Sequence, residues 1–341
     1  MVGVAVAAGN SLSNAQSAGV RVVPDHVNRR VDIFVDGRPF TSYIYPNTLK
    51  KPVLYPLRTA KGTKVTRGYP LDPRPGERVD HPHQVGLWLN YGNVDGFDFW
   101  NNSDAIKPEA AGRMGTIVHR SVVAARSGVD KGELEVETDW LPPDGRPLLR
   151  EQARFVFRGG RGYRSIDRIT TLTALDRKVV FTDDKEGVLG MRVRRELESP
   201  SEKAEVFTDA SGRPAKVEKM DNAGVNGVYL SSDGKKGDEV WGTRGRWCIL
   251  TGNIGTEPVT IAIFDHPKNP GYPTYWHARG YGLFAANPLG QKVFSNGKEE
   301  LNFSLAPHER ATLRYRVLIL SEVATRQRVE EAYREFLSTY P

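Results

Sequence analysis

Only one cysteine, Cys248, stands in the 341 residues, so no disulfide can close within the chain and no Cys-x-x-Cys pair exists for zinc or redox chemistry. Within "GRWCILTG" it reads as a small buried hydrophobe. Long apolar runs are missing too: none approaches the ~18–20 residues that a membrane-spanning helix needs, which excludes a helical membrane protein. Charge is +7 overall, yet it never gathers into the basic block that marks nucleic-acid binding. Arg192, Arg194 and Arg195, like Arg158, Arg161 and Arg164, are interleaved with other residues as in strands, so no nucleic-acid partner is expected. The familiar catalytic signatures are absent: there is no GxSxG elbow, no P-loop and no HExxH. "RGGRGYRS" lacks the strand-to-helix setting of a dinucleotide site, and "YGNVDGFDF" puts Tyr91 where a calcium loop requires an acid. No nucleotide cofactor is therefore expected, and a nicotinamide oxidoreductase or a kinase is disfavoured.

No fixed-length repeat and no Pro/Ser linker divides the chain, which predicts a single domain over 25–341. The first 24 residues read as a disordered or remnant signal segment. Val2–Ala8 resembles the end of a signal-peptide apolar core, followed by small residues at Ser13, Ala15 and Ala18, so a periplasmic or secreted location is expected, with a cytoplasmic one as the alternative.

What the chain does have is period-two alternation from residue 30 onward, bounded by Gly, Asp and Pro. "RRVDIFVDGRPFTSYIY" reads as two strands about an Asp36-Gly37 turn. Further long strands turn near Ser127-Gly128, Asp144-Gly145 and Gly159-Gly160, and a last hairpin is expected to turn at Ala306-Pro307-His308. One helix is predicted, over 323–338, with Val329, Ala332, Tyr333 and Phe336 on a single face. The charged stretch 199–238 reads as an excursion. The fold class is all-β: a large antiparallel sandwich of two sheets with a C-terminal helix.

Two stretches concentrate chemistry. "DHPHQVGLWLNYGNVDGFDFW" (80–100) sets Asp80, His81, His83 and Asp98 among Trp88 and Trp100. In extended backbone His81 and His83 would point to one face, the spacing of a divalent-metal pair. "FDHPKNPGYPTYWHARGYGLFAANPLG" (264–290) repeats "DHP" and adds Trp276, His277 and Arg279. Its prolines and glycines make it a shaped loop, where Asp265 and Arg279 offer a polar fork and the indole a flat face for a sugar ring. His119 lies mid-strand in "GTIVHRS", and Glu186 of "TDDKEGVLGMRV" precedes an apolar strand, placed to project into a cleft.

With these motifs in order over residues 25–320, the chain resembles the bacterial family labelled "PmoA", whose members look like galactose-mutarotase-like supersandwiches. A membrane-bound methane oxygenase, as that label suggests, does not suit a chain without a spanning segment. What the resemblance implies is carbohydrate chemistry. It carries over to Asp80, His81, His83, Asp98, Trp100, His119, Glu186, Asp265, His266, Trp276, His277 and Arg279. The family's first motif continues His-His-Arg, whereas this chain has His83-Gln84-Val85, losing an imidazole and a guanidinium and weakening a three-histidine metal site.

The leading expectation is an enzyme of the lyase, hydrolase or epimerase type acting on a sugar or glycoside, including oxidised 3-keto glycosides. His81, His83, His119, Glu186 and His277 would carry acid–base chemistry, while Asp80, Trp88, Asp98, Trp100, Asp265, His266, Trp276 and Arg279 would bind the small-molecule or oligosaccharide ligand. A divalent metal, if used, would sit on His81 and His83. The alternative is a non-catalytic sugar-binding sandwich with Trp88, Trp100 and Trp276 as stacking platforms. A metal-dependent oxygenase ranks last.

Overall fold

The computed structural model describes residues 19–219 and 221–341. Among them, the strands assemble into two eight-stranded antiparallel sheets and two small two-stranded ones. In spatial order the first large sheet runs Val20–Asp25, Arg30–Val35, Arg38–Ile44, Val53–Leu54, Leu87–Tyr91, Gly187–Arg192, Leu283–Asn287 and Tyr275–Arg279. The second runs Val228–Ser231, Trp247–Ile254, Glu257–Asp265, Arg310–Leu320, Tyr163–Ala174, Leu149–Gly159, Gly132–Leu141 and Thr116–Arg126.

Alternation decides what each face buries. Leu87, Leu89, Leu189, Met191, Phe284 and Ala286 point inward from the first sheet and meet Leu134, Phe155, Ile261, Ile263 and Val317 of the second in one continuous core. The outer face of the second sheet carries Trp247, Ile249, Phe264 and Leu318, and the helix Arg326–Thr339 covers it with Val329, Ala332, Tyr333 and Phe336. Side chains the size of Val329 and Phe336 contribute ~1.5–3 kcal/mol each on full burial. Thr325 caps this helix, its hydroxyl accepting from the Arg328 N–H at 3.2 Å. On the outer face of the first sheet, Phe294 of the short helix Gln291–Phe294 packs against Tyr275 and His277. Trp88, Leu283 and Ala285 are covered there by Tyr55, Val85 and Trp100 from loops.

The predicted Asp36-Gly37 hairpin forms, with both residues at positive φ (49° and 73°) as its tight turn demands. Three expectations need correction. Most of the supposed leader, residues 1–18, lies outside the described residues, but Val20–Asp25 is a strand paired with Arg30–Val35, so the sandwich begins before residue 25. The last hairpin does not form: Ser304–Leu305 pairs with Val179–Val180, while Arg310–Leu320 pairs with Tyr163–Ala174 and Glu257–Asp265. The excursion 199–238 is partly sheet, with a hairpin of Glu205–Thr208 and Pro214–Val217 and the edge strand Val228–Ser231. No described helix is long and apolar enough to cross a membrane.

Candidate functional site

Register on the first sheet brings separate motifs side by side. Gly190 lies between Trp88 and Ala285, and His277 pairs with Ala285 on the next strand, so all four face outward, away from the core. A Cβ on Gly190 would stand 2.5 Å from Trp88 Cζ2, so glycine is what lets the indole lie flat over this strand. Glu186 precedes the same strand and depends on a second close approach. Gly92 donates its N–H to the Glu186 carbonyl at 2.7 Å, and a Cβ at residue 92 would meet Glu186 Cβ at 2.8 Å. Glu186 Oε2 thereby comes to 3.9 Å from His277 Nδ1.

The environment separates the proton affinities of this pair. Burial, assisted by the charges of Lys185 and Arg279, lowers the His277 pKa to about 3 and keeps its imidazole neutral. Burial raises the Glu186 carboxyl above its ordinary value, against the opposing ammonium of Lys185, with which it forms an ion pair. His277 Nδ1 is buried with no hydrogen-bond partner among the described residues.

His81 stands beside the pair. Its ring lies parallel to Tyr281, with centroids 5.0 Å apart and planes 3° apart, and it is the more exposed of the two loop histidines. Asp80 Oδ2 approaches its Nδ1 at 3.0 Å, an arrangement that fixes the tautomer and turns Nε2 outward. Asp80 is itself held by two buried guanidiniums. Arg192 donates to its Oδ1 at 2.7 Å and Arg67 to the same oxygen. Arg67 also donates to the carbonyls of His81 and Gln84, at 3.0 and 3.1 Å, and Arg192 to Gln84 Oε1 at 2.6 Å. Burial alone would raise the Asp80 pKa, but Arg192, His81 and Arg67 hold it well below the usual carboxylate range. Gln84, where the resemblance has histidine, is therefore part of the clamp that holds this loop.

The other residues named from sequence divide. His83 is buried, its pKa lowered to about 2 by burial and by Lys51, and its Nε2 lacks a partner among the described residues. It does not form a metal pair with His81. The extended backbone assumed for that pair is absent, since His81 has φ +40°, and the rings meet edge-on at 79° with His81 Nδ1 already occupied by Asp80. Among the described residues no group of three His, Cys, Asp or Glu side chains is arranged to hold a metal ion. Arg279 lies two residues beyond His277 on the same outer face, stacked 5.5 Å over Trp241 beside a cleft of about 490 Å³ that also includes Tyr281.

His119 lies elsewhere, on the edge strand of the second sheet. It stacks on Tyr45 at 3.8 Å with Tyr43 Oη 3.1 Å from Nδ1, and burial lowers its pKa to about 4. Asp98 caps a turn, accepting from the N–H groups of Trp100 and Asn101, both at 2.9 Å. Asp265 is fully buried and ties down the 266–274 loop by accepting from Thr274 N and Asn269 Nδ2. His266 packs against Phe336 of the C-terminal helix. Trp276 faces the core, and Trp88 and Trp100 are equally buried, so none of the three indoles presents a stacking face to solvent. The platform role expected of them is thereby corrected.

Sequence reasoning passed over Lys51, Arg67, Arg192 and Tyr281 as site residues. Lys51 is buried, donates to the His83 carbonyl at 2.7 Å, and lies 5.5 Å from the centre of the Trp88 ring. Burial lowers its pKa to about 7, against a smaller opposing effect from Asp98. Nothing in "NTLKKPVLY" distinguishes it from an exposed lysine.

Among solved structures, similar folds include a protein from Synechocystis sp. PCC 6803, Slr1438 (8% identity, 92% of this chain and 100% of that one, TM-score 0.34). Galactose 1-epimerase from Lactobacillus acidophilus NCFM is similar at 10% identity over 90% of this chain and 100% of that one, with a TM-score of 0.35. An alpha-galactosidase from Geobacillus stearothermophilus matches at 8% identity and TM-score 0.40, over 88% of this chain but 41% of its own length. At these scores the likenesses carry no argument about activity. A search among curated proteins finds no match. A family model does match, over residues 30–334, and it is not one that bears the PmoA label. The chain belongs to the family of unknown function DUF6807.

Proposed function

We propose that the protein is a carbohydrate-active enzyme of the lyase, hydrolase or epimerase type, with Glu186 and His277 as its acid–base pair. The observation that carries the reading is the 3.9 Å approach of a carboxyl with raised pKa to the unpartnered Nδ1 of a buried, neutral imidazole. Two groups whose environments push their affinities apart suit opposite proton-transfer roles. On a 3-keto glycoside, His277 removes the proton next to the ketone. The C–O bond to the leaving group then breaks, and Glu186 passes the proton taken up by His277 on to the departing oxygen. His81, oriented by Asp80 and stacked on Tyr281, hydrogen-bonds a ring hydroxyl through Nε2. Lys185 and Arg279 supply positive charge for the enolate oxygen.

The test is NMR of the protein incubated with paired native and 3-keto glycosides, comparing wild type with Glu186→Gln and His277→Gln. General acid–base catalysis contributes ~10²–10⁴-fold, so each variant should lose at least the lower figure in turnover with binding retained. New sugar signals undiminished in both variants, or line broadening alone in the wild type, would refute the assignment.

A further inference from the structure

Next to His81 lies a second cleft, of about 540 Å³, that the chemistry above does not use. Its walls include Leu49, Val53 and Val85, its rim Asn102 and Ser103, and both Lys51 and His83 border it. We propose that Lys51 is a carbonyl-capturing amine, and that this cleft takes up a sugar in ketone or open-chain aldehyde form and holds it as an imine on Lys51 Nζ.

Three observations support this. First, among the described residues Lys51 forms no ion pair: its one hydrogen-bond partner is the His83 carbonyl, 2.7 Å away. A buried ammonium without a carboxylate is disfavoured, and the amine accordingly sheds its proton near neutrality. Second, the neutral amine has two N–H groups and one lone pair. The His83 carbonyl takes one N–H, and the Trp88 ring, its centroid 5.5 Å from Nζ, is too far to bond the nitrogen, leaving the lone pair for an electrophile. Third, His83 Nε2 is buried without a partner at the same cleft, a polar atom that a ligand hydroxyl would satisfy.

The reaction balances without a further reagent. The lone pair adds to the carbonyl carbon, and the oxygen takes a proton to give a carbinolamine. The C–O bond then breaks, and that oxygen leaves as water with the two amine hydrogens, forming C=N. With a 3-keto glycoside, the imine withdraws electrons from the neighbouring C–H as the ketone does. The choice of sugar probes rests on the proposed function, but imine formation at Lys51 does not require turnover.

The test is reductive trapping of the full chain. Wild-type protein is treated with borohydride in the presence of a methyl 3-keto-glucoside in one arm and a free aldose in the other, and labelled lysines are mapped by peptide mass spectrometry. Lys51 should gain the mass of the probe less one oxygen atom, at least ~tenfold more than Lys50 or Lys185 in the same sample, because only a desolvated amine is free near neutrality. The arm that labels Lys51 identifies the ketone or the aldehyde as the ligand. A Lys51→Met variant shown to be folded by its circular dichroism should lose that adduct alone, and His83→Ala should lower its yield. Equal labelling of Lys51, Lys50 and Lys185, or none at Lys51 with either probe, overturns the proposal. Turnover of the glycoside without an adduct would sink this inference and leave the Glu186–His277 reading standing, whereas an adduct without turnover would do the reverse.

Discussion

Replacing Asp80 by asparagine removes a charge from the centre of the clamp under His81 while keeping its shape. In the wild type the carboxylate faces Arg67 and Arg192, whose side chains are 1% and 0% exposed. Removing one partner of a buried ion pair costs ~3–5 kcal/mol, because the remaining charge stays out of water. Arg67 keeps the carbonyls of His81 and Gln84, and Arg192 keeps Gln84 Oε1, so the lower end applies. A loss of ~3 kcal/mol is about a hundredfold in the folding equilibrium. The assay is urea unfolding followed by circular dichroism at neutral pH and at steps downward. The Asp80 pKa is lowered by folding, so its contribution is complete above the unfolded value of 3.8 and is lost as pH falls toward the folded value. The two stability curves should therefore converge below pH ~4, where the unfolded wild type binds the proton that the folded protein refuses. Asp104→Asn, which breaks an exposed pair with Lys50, is the control and should cost no more than ~1 kcal/mol. A neutral-pH difference under ~1 kcal/mol for Asp80→Asn, or curves that stay parallel in acid, would refute the clamp.

Other outcomes follow from the same geometry. Gly190→Val should cost at least ~1–3 kcal/mol and change the near-UV circular dichroism, because its Cβ would press 2.5 Å from Trp88 and 2.9 Å from Trp100. NMR titration should show the His277 ring neutral at pH ~5 and gaining its proton only near 3. Because its folded pKa lies below the ordinary 6.5, His277 erodes stability as pH falls from there toward 3, and His277→Gln should flatten the stability curve over that window. At the C-terminal helix, Thr325→Ala should cost ~1 kcal/mol and Phe336→Ala ~3–5 kcal/mol in thermal unfolding, the first through the cap and the second through a cavity.

The architecture was legible because alternating side chains and Gly or Asp turns are local signals, and Arg326–Thr339 falls within a few residues of its predicted span. The lost hairpin at residues 306–308 shows the limit: a turn signal gives a change of direction but not the partner strand. The same limit governs the site. Alternation says that Trp276 and His277 face opposite ways, yet only the register with Ala285 and Ala286 decides which of them turns outward. His81 and His83 misled because one left-handed residue cancels the same-face rule. Lys51 carried no pattern at all, since its chemistry arises from burial beside residues far along the chain.

The two bulges in Thr116–Arg126, at His119/Ser121 and Val122/Ala124, bear on how this molecule behaves in a crowded solution. Among the described residues, sixteen strands in two open sheets leave four flanks that could each recruit an extended segment of another chain. The flank at Thr116–Arg126 is kinked twice and studded with Arg120 and Arg126, so a foreign strand finds neither a straight ladder nor neutral ground. Val20–Asp25 is stitched to the turn beyond that strand through the Val20–Gly128 bridge. Tyr275–Arg279 is taken by residues 242–245, and Val228–Ser231 folds back on Lys235 and Lys236. Among the described residues each border of the sandwich is thus closed or roughened from within, and damage to these trimmings, more than to the core, is what would turn it into a seed for aggregates.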